Sequence, residues 1–111
     1  MSASYNLIRF EGVLDISRYP EFRVVFEELP HSVPVLLDLS DATAADSVFL
    51  SEMLMARRRH SAPFVVMIAP DGNLARLFAI TGLDAKMNVF ADLTAAVASL
   101  GIGALDQAGP R

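Results

Sequence analysis

Asp46 and Ser47 put a carboxylate and a hydroxyl side by side where a run of small residues, Ser40-Asp41-Ala42-Thr43-Ala44-Ala45, gives way to helical spacing. A helix that starts there turns unpaired backbone N–H groups and a partial positive charge toward this pair. Such an end suits a group that is capped, phosphorylated or gripped by a partner. The plainest of these roles is the cap, worth about 1 kcal/mol, and either residue can fill it. Catalysis is a poor fit. Ser47 and His60 stand at opposite ends of the same predicted helix, about 20 Å apart at a rise of about 1.5 Å per residue, too far for a nucleophile and its base. His31 follows Pro30 in a loop, and two isolated histidines in a chain without cysteine do not make a metal site. These residue types predict a binding protein rather than an enzyme, with no cofactor and no metal.

The segments that must position this pair are read from periodicity. Residues 5–10 form a predicted strand, with Leu7, Ile8 and Phe10 supplying apolar side chains to both faces. Residues 11–15 bend the chain, and Asp15 or Ser17 caps a helix running to about Leu29, with Phe22, Val25, Phe26 and Leu29 as its apolar stripe. Val35–Leu39 is a buried central strand, and residues 40–46 are a loop. The helix that follows holds Phe49, Leu50, Met53 and Leu54 on its inner face. At about 100° per residue, Val48 and Met55 project from the opposite side with Ser51, so Val48, Ser51 and Met55 make a candidate docking stripe beside Ser47. Phe64–Ile68 is a strand closed by the turn Pro70-Asp71-Gly72. A helix over residues 73–80 ends at Gly82, and residues 87–90 form a last strand. Asp92 then opens a helix with Leu93, Val97 and Leu100 inward. Strands alternating with helices imply an α/β domain, with a mostly parallel four-stranded sheet covered by four helices.

With 53% hydrophobic and 20% charged residues among 111, the chain can bury one core. That domain is expected over residues 1–100, with a loose tail at 101–111 where Gly, Ala and Pro concentrate. A net charge of -4 argues against binding nucleic acid through its phosphates, since the one basic cluster is Arg57-Arg58-Arg59. That cluster suits the negative end of its own helix. No apolar run approaches the roughly 20 residues of a membrane span. The first residues also lack a basic stretch followed by an apolar core. The expectation is a cytoplasmic protein without membrane insertion.

Four pieces in order carry a resemblance. Gly12-Val13-Leu14-Asp15 follows the first strand, and Leu37-Asp38-Leu39-Ser40 ends the central one. Asp46-Ser47 opens a helix with Leu50 after it, and Leu77-Phe78-Ala79-Ile80-Thr81-Gly82-Leu83 closes the next. Together, over about residues 7–100, they resemble the STAS family, the fold of bacterial anti-sigma-factor antagonists. The resemblance implies a single STAS-like domain whose partner is an anti-sigma factor of the serine-kinase type. It implies phosphorylation at Ser47, with the unphosphorylated form sequestering the partner. Asp15, Ser40 and Asp46 then join Ser47, Val48, Ser51 and Met55 as expected partner contacts. The family places a small residue and then Gly after the acceptor, where this chain has Val48 and Phe49. An additional leading strand, common in the family, would make a fifth strand; here only four residues precede the first, which leaves an edge that suits a homodimer. The same resemblance implies an alternative: a structural or accessory STAS subunit of a stress-signalling assembly or a lipid ABC transporter, without phospho-switching.

Overall fold

Two chain segments run side by side twice in this structure, and that repetition sets the position of Asp46. The computed structural model describes residues 5–100; the tail expected at 101–111 lies outside the described residues. β1 (Asn6–Arg9) pairs in parallel with β3 (Val35–Leu39), β3 with β5 (Phe64–Ile68), and β5 with β6 (Asn88–Phe90). The result is one four-stranded parallel sheet in the order β1-β3-β5-β6. Beyond Arg9 and Leu39 both segments break briefly and pair again, as β2 (Gly12–Leu14) and β4 (Ala42–Ala45), in a separate two-stranded parallel ladder. Backbone bonds from Phe10 N–H to Asp38 O (3.2 Å) and from Gly12 N–H to Asp41 O (3.1 Å) carry the pairing across the break.

This second ladder corrects the bend expected at residues 11–15 and the loop expected at 40–46. Ala42-Thr43-Ala44-Ala45 has little intrinsic preference for a strand. It becomes one because β1 and β3 bring the two segments alongside each other with spare backbone donors and acceptors facing, and the ladder shifts its register once, between Gly12 and Val13. The first helix is also shorter than expected. Asp15 caps a 3-10 turn over Ile16–Arg18, and α1 (Tyr19–Glu27) begins only where Pro20, which has no N–H to bond backward, fits the first turn.

Each crossover moves one place along the sheet in the same direction, so crossovers of one hand bring their helices to one face. α1, α2 (Ser47–Arg59) and α3 (Asn73–Thr81) pack there against Val35, Leu37, Leu39, Val66 and Ile68. Gly82, at φ 80°, ends α3 in the left-handed conformation and leads into α4 (Leu83–Lys86), a single turn with no sequence signal of its own. α5 (Leu93–Ser99) covers the opposite face, where Ala96 and Leu100 meet Leu36, Val65 and Met67. Leu93, expected inside, is 51% exposed, and the small Ala96 takes the buried place instead. Because both faces are covered, β3 and β5 are buried at every position. The larger core centres on four aromatic rings: Phe10 stands edge-on to Phe22 (5.4 Å), Phe26 (5.9 Å) and Phe49 (5.6 Å).

Candidate functional site

Asp46, and not Ser47, caps α2. Its Oδ1 accepts from the Phe49 N–H at 3.1 Å, inside the first turn of the helix. Its Oδ2 accepts from the Ile16 N–H at 2.9 Å, and its own N–H donates to Leu14 O at 3.0 Å. One residue therefore ties the start of α2 to the chain on both sides of Asp15. The geometry follows from the second ladder, since β2 and β4 end together at Leu14 and Ala45. Ser47, the first helical residue, is left exposed, and its hydroxyl has no hydrogen bond among the described residues.

Asp15 stands beside this latch with its own local bonds. Its Oδ1 accepts from the Ser17 N–H at 3.0 Å and from the Ser17 hydroxyl. The hydroxyl foremost, then the N–H, hold the Asp15 carboxyl below its ordinary range, and the charge of Arg18 adds to this. Arg18 grips both Glu21 oxygens, at 2.9 and 3.0 Å, and donates to the carbonyls of Glu11 (2.6 Å) and Val13 (3.1 Å). The turn between β2 and α1 is thus built from side chains bonding to backbone, which fixes its shape without burying it.

The structure brings together some of the expected contact residues and separates others. Ser47, Ser51 and Met55 fall at successive turns of α2 and are all exposed, Met55 by 46%. Val48 is half-buried where an outward-projecting, exposed residue was expected, because a helical wheel considers the helix alone and not what packs beside it. Ser40 belongs elsewhere. Its N–H and hydroxyl both donate to Asp38 Oδ1, at 2.9 and 2.6 Å, and it lines an open cleft of about 420 Å³ with Thr43, Asp71 and Asn73. Asp38 is the one buried charged residue described, paired through Oδ2 with Arg9 Nε at 3.0 Å. Burial, the largest single effect, pushes its carboxyl up. The Ser40 hydroxyl and N–H together with Arg9 outweigh it and leave the pKa below the ordinary value.

Two residues of this region were not foreseen. Ile16, whose N–H bonds to Asp46, is 65% exposed, and Val13, on the outer face of β2, is 52% exposed. The available signal was local: Ile16 stands between the capping Asp15 and the Ser17 that donates to it, in a turn held at the surface by those two side chains. Phe49, at the position where the resemblance calls for Gly, is fully buried among the core rings. Arg57, Arg58 and Arg59 occupy the last turn of α2, at the far end from Ser47.

No protein-family model matches the chain, and a search of curated proteins finds no match. Ser47 presents a free hydroxyl with no side chain bonded to it that could act as its base. Among the described residues there is no group of three or more metal-ligating side chains, and no helix is long and apolar enough to cross a membrane.

Proposed function

We propose that this chain is a STAS-like regulatory binding module, an anti-sigma-factor antagonist that sequesters an anti-sigma factor of the serine-kinase type until Ser47 is phosphorylated. One observation carries the reading: Ser47 is exposed at the first position of a 13-residue helix, with its hydroxyl uncommitted because Asp46 does the capping. A hydroxyl with no structural duty can be modified while the fold persists. A phosphate adds roughly -1.5 to -2 charge, which a helix N-terminus accommodates. A partner surface lying over Ser47 would instead meet a hydrated dianion beside Asp15 and Asp46, and would release. The surface around Ser47 supports contact with a protein: Ile16 and Val13 are exposed apolar side chains at the charged turn, and Met55 is exposed two turns along α2. The parallel α/β architecture is compatible with the family resemblance without deciding function.

Incubation with ATP and a serine-kinase anti-sigma factor, followed by intact-mass and phosphosite analysis, tests the proposal. The expected outcome is one phosphoryl group at Ser47, none on Ser47→Ala, and loss of partner binding by the modified chain. Unchanged mass with an active kinase, or capture of transporter ATPase subunits in its place, favours the accessory-subunit alternative.

A further inference from the structure

The bonds of Asp46 suggest how a change at Ser47 would reach the rest of the surface. A single carboxylate holds two elements: Oδ1 takes the Phe49 N–H of α2, and Oδ2 takes the Ile16 N–H of the 3-10 turn. Each bond orients the other, because both draw on one rigid, planar group. The two attachments differ in what loss would cost. The Phe49 N–H lies in a partly buried helix start, whereas the Ile16 bond is exposed and water can replace it. Ile16 carries the most exposed apolar side chain of the turn, so the latch holds in place a residue suited to partner contact.

We propose that Asp46 is a latch opened by phosphorylation of Ser47, so that modification frees the Ile16 N–H at the head of the 3-10 turn as well as adding charge, while Asp15 and Arg18 keep the rest of the turn in place. This rests on the reading of Ser47 as a phosphoacceptor. In the modification, the bond from Ser47 Oγ to phosphorus forms as the β,γ-bridging bond of ATP breaks. ADP leaves, and the hydroxyl proton passes to a base of the kinase. The phosphate then stands one residue from the Asp46 carboxylate. It offers three acceptor oxygens and about twice the negative charge to the same helix N-terminus, so it competes for the first-turn N–H groups and repels the carboxylate. Once Oδ1 loses the Phe49 N–H, nothing fixes the carboxylate toward Ile16, and the exposed Ile16 N–H turns to water. The helix start remains satisfied by phosphate while the Ile16 end of the turn is released, its Ser17 and Arg18 still bonded to Asp15, Glu11 and Val13. The switch thereby changes both the charge over Ser47 and the position of Ile16.

The experiment uses the full chain with phosphoserine introduced at position 47 during translation, which needs no kinase. Amide shifts and hydrogen exchange of Ile16 and Phe49 are compared by NMR with the unmodified chain and with Asp46→Ala and Asp46→Asn. The expected result is an Ile16 amide that loses its downfield shift and exchanges about tenfold faster, with Phe49 still protected. Asp46→Ala should reproduce the Ile16 change without phosphate, and Asp46→Asn, the milder variant, should do so in part. An unchanged Ile16 amide in the phosphorylated chain overturns the latch, as does equal loss of protection at Ile16 and Phe49. Partner binding measured on the same samples separates the two claims. Release with Ile16 unchanged leaves the phospho-switch standing and removes the latch, while a freed Ile16 with binding unaffected keeps the latch and removes the switch.

Discussion

Replacing Asp46 by Ala should destabilise the protein more than any change at Ser47, although Ser47 is the residue with the more conspicuous chemistry. The carboxylate makes two bonds that Ala cannot. The cap bond to Phe49 N–H at 3.1 Å is the kind whose removal costs about 0.5–2 kcal/mol. The bond to Ile16 N–H at 2.9 Å is exposed, so water recovers part of it and its net worth lies near the lower end of the usual range of about 0.5–1.5 kcal/mol. The sum is roughly 1–2.5 kcal/mol. At about 4 °C per kcal/mol for a chain of this size, Tm falls by roughly 4–10 °C. Asp46→Asn keeps one acceptor oxygen and should lose about half as much. Ser47→Ala removes an exposed hydroxyl with no bond among the described residues, and stability should stay within about 0.5 kcal/mol. Urea unfolding at pH 7 followed by circular dichroism, with constant m, measures all three. A Ser47→Ala loss equal to or larger than that of Asp46→Ala would reverse the assignment of the cap and with it the claim that the Ser47 hydroxyl is uncommitted.

Two further outcomes follow from the buried groups. Asp38 has a folded pKa below its ordinary 3.8, so the folded state binds fewer protons than the unfolded state in acid. Its contribution is complete above the ordinary value and is lost as pH falls through the lowered one; urea midpoints between pH 6 and about 2 should therefore drop less steeply in Asp38→Asn than in the parent chain. Phe49→Ala empties a site ringed by Phe10, Phe22 and Phe26 and should cost about 3–5 kcal/mol, seen as a large fall in urea midpoint.

The central strands were legible because burial on both faces leaves a continuous apolar signature. Val35–Leu39 and Phe64–Ile68 have it, and both are wholly buried. The β2–β4 ladder was not legible, since Gly12–Leu14 is too short to show a period and Ala42–Ala45 carries side chains too small to show a face. Its pairing depends on β1 and β3 lying side by side, which is tertiary information. The same limit applies within the site. The order Asp46-Ser47 marked a helix start correctly but could not say which residue caps it, because that depends on where Ile16 comes to lie. Ser40 entered through the family resemblance, and its bond to Asp38 went unread although the Asp-x-Ser spacing of an Asx turn was available. In α2 the large inner residues Phe49 and Met53 were found, while the buried Ala56 was passed over because a small side chain carries little hydrophobic weight.

Structural duty and availability are divided between adjacent residues at the start of α2. Asp46 and Phe49 are fully committed, one through both carboxylate oxygens and the other through its ring in the core and its N–H to the cap. Ser47, Ser51 and Met55 lie on the same helix yet are exposed. This division explains how Phe49 can stand where the family resemblance calls for a glycine: the backbone there is already held by the cap, and the ring anchors the helix from below instead of leaving its start open to close approach. Phe49 therefore rigidifies the site without covering it. A partner that requires close backbone contact at that residue would be excluded, whereas one that reads the outward side chains Ser47, Ser51, Met55 and Ile16 would find them on a fixed platform. Under the proposed function, binding specificity resides on the side of α2 opposite Phe49, and substitutions at Ser51 or Met55 should alter partner choice while leaving the urea midpoint nearly unchanged.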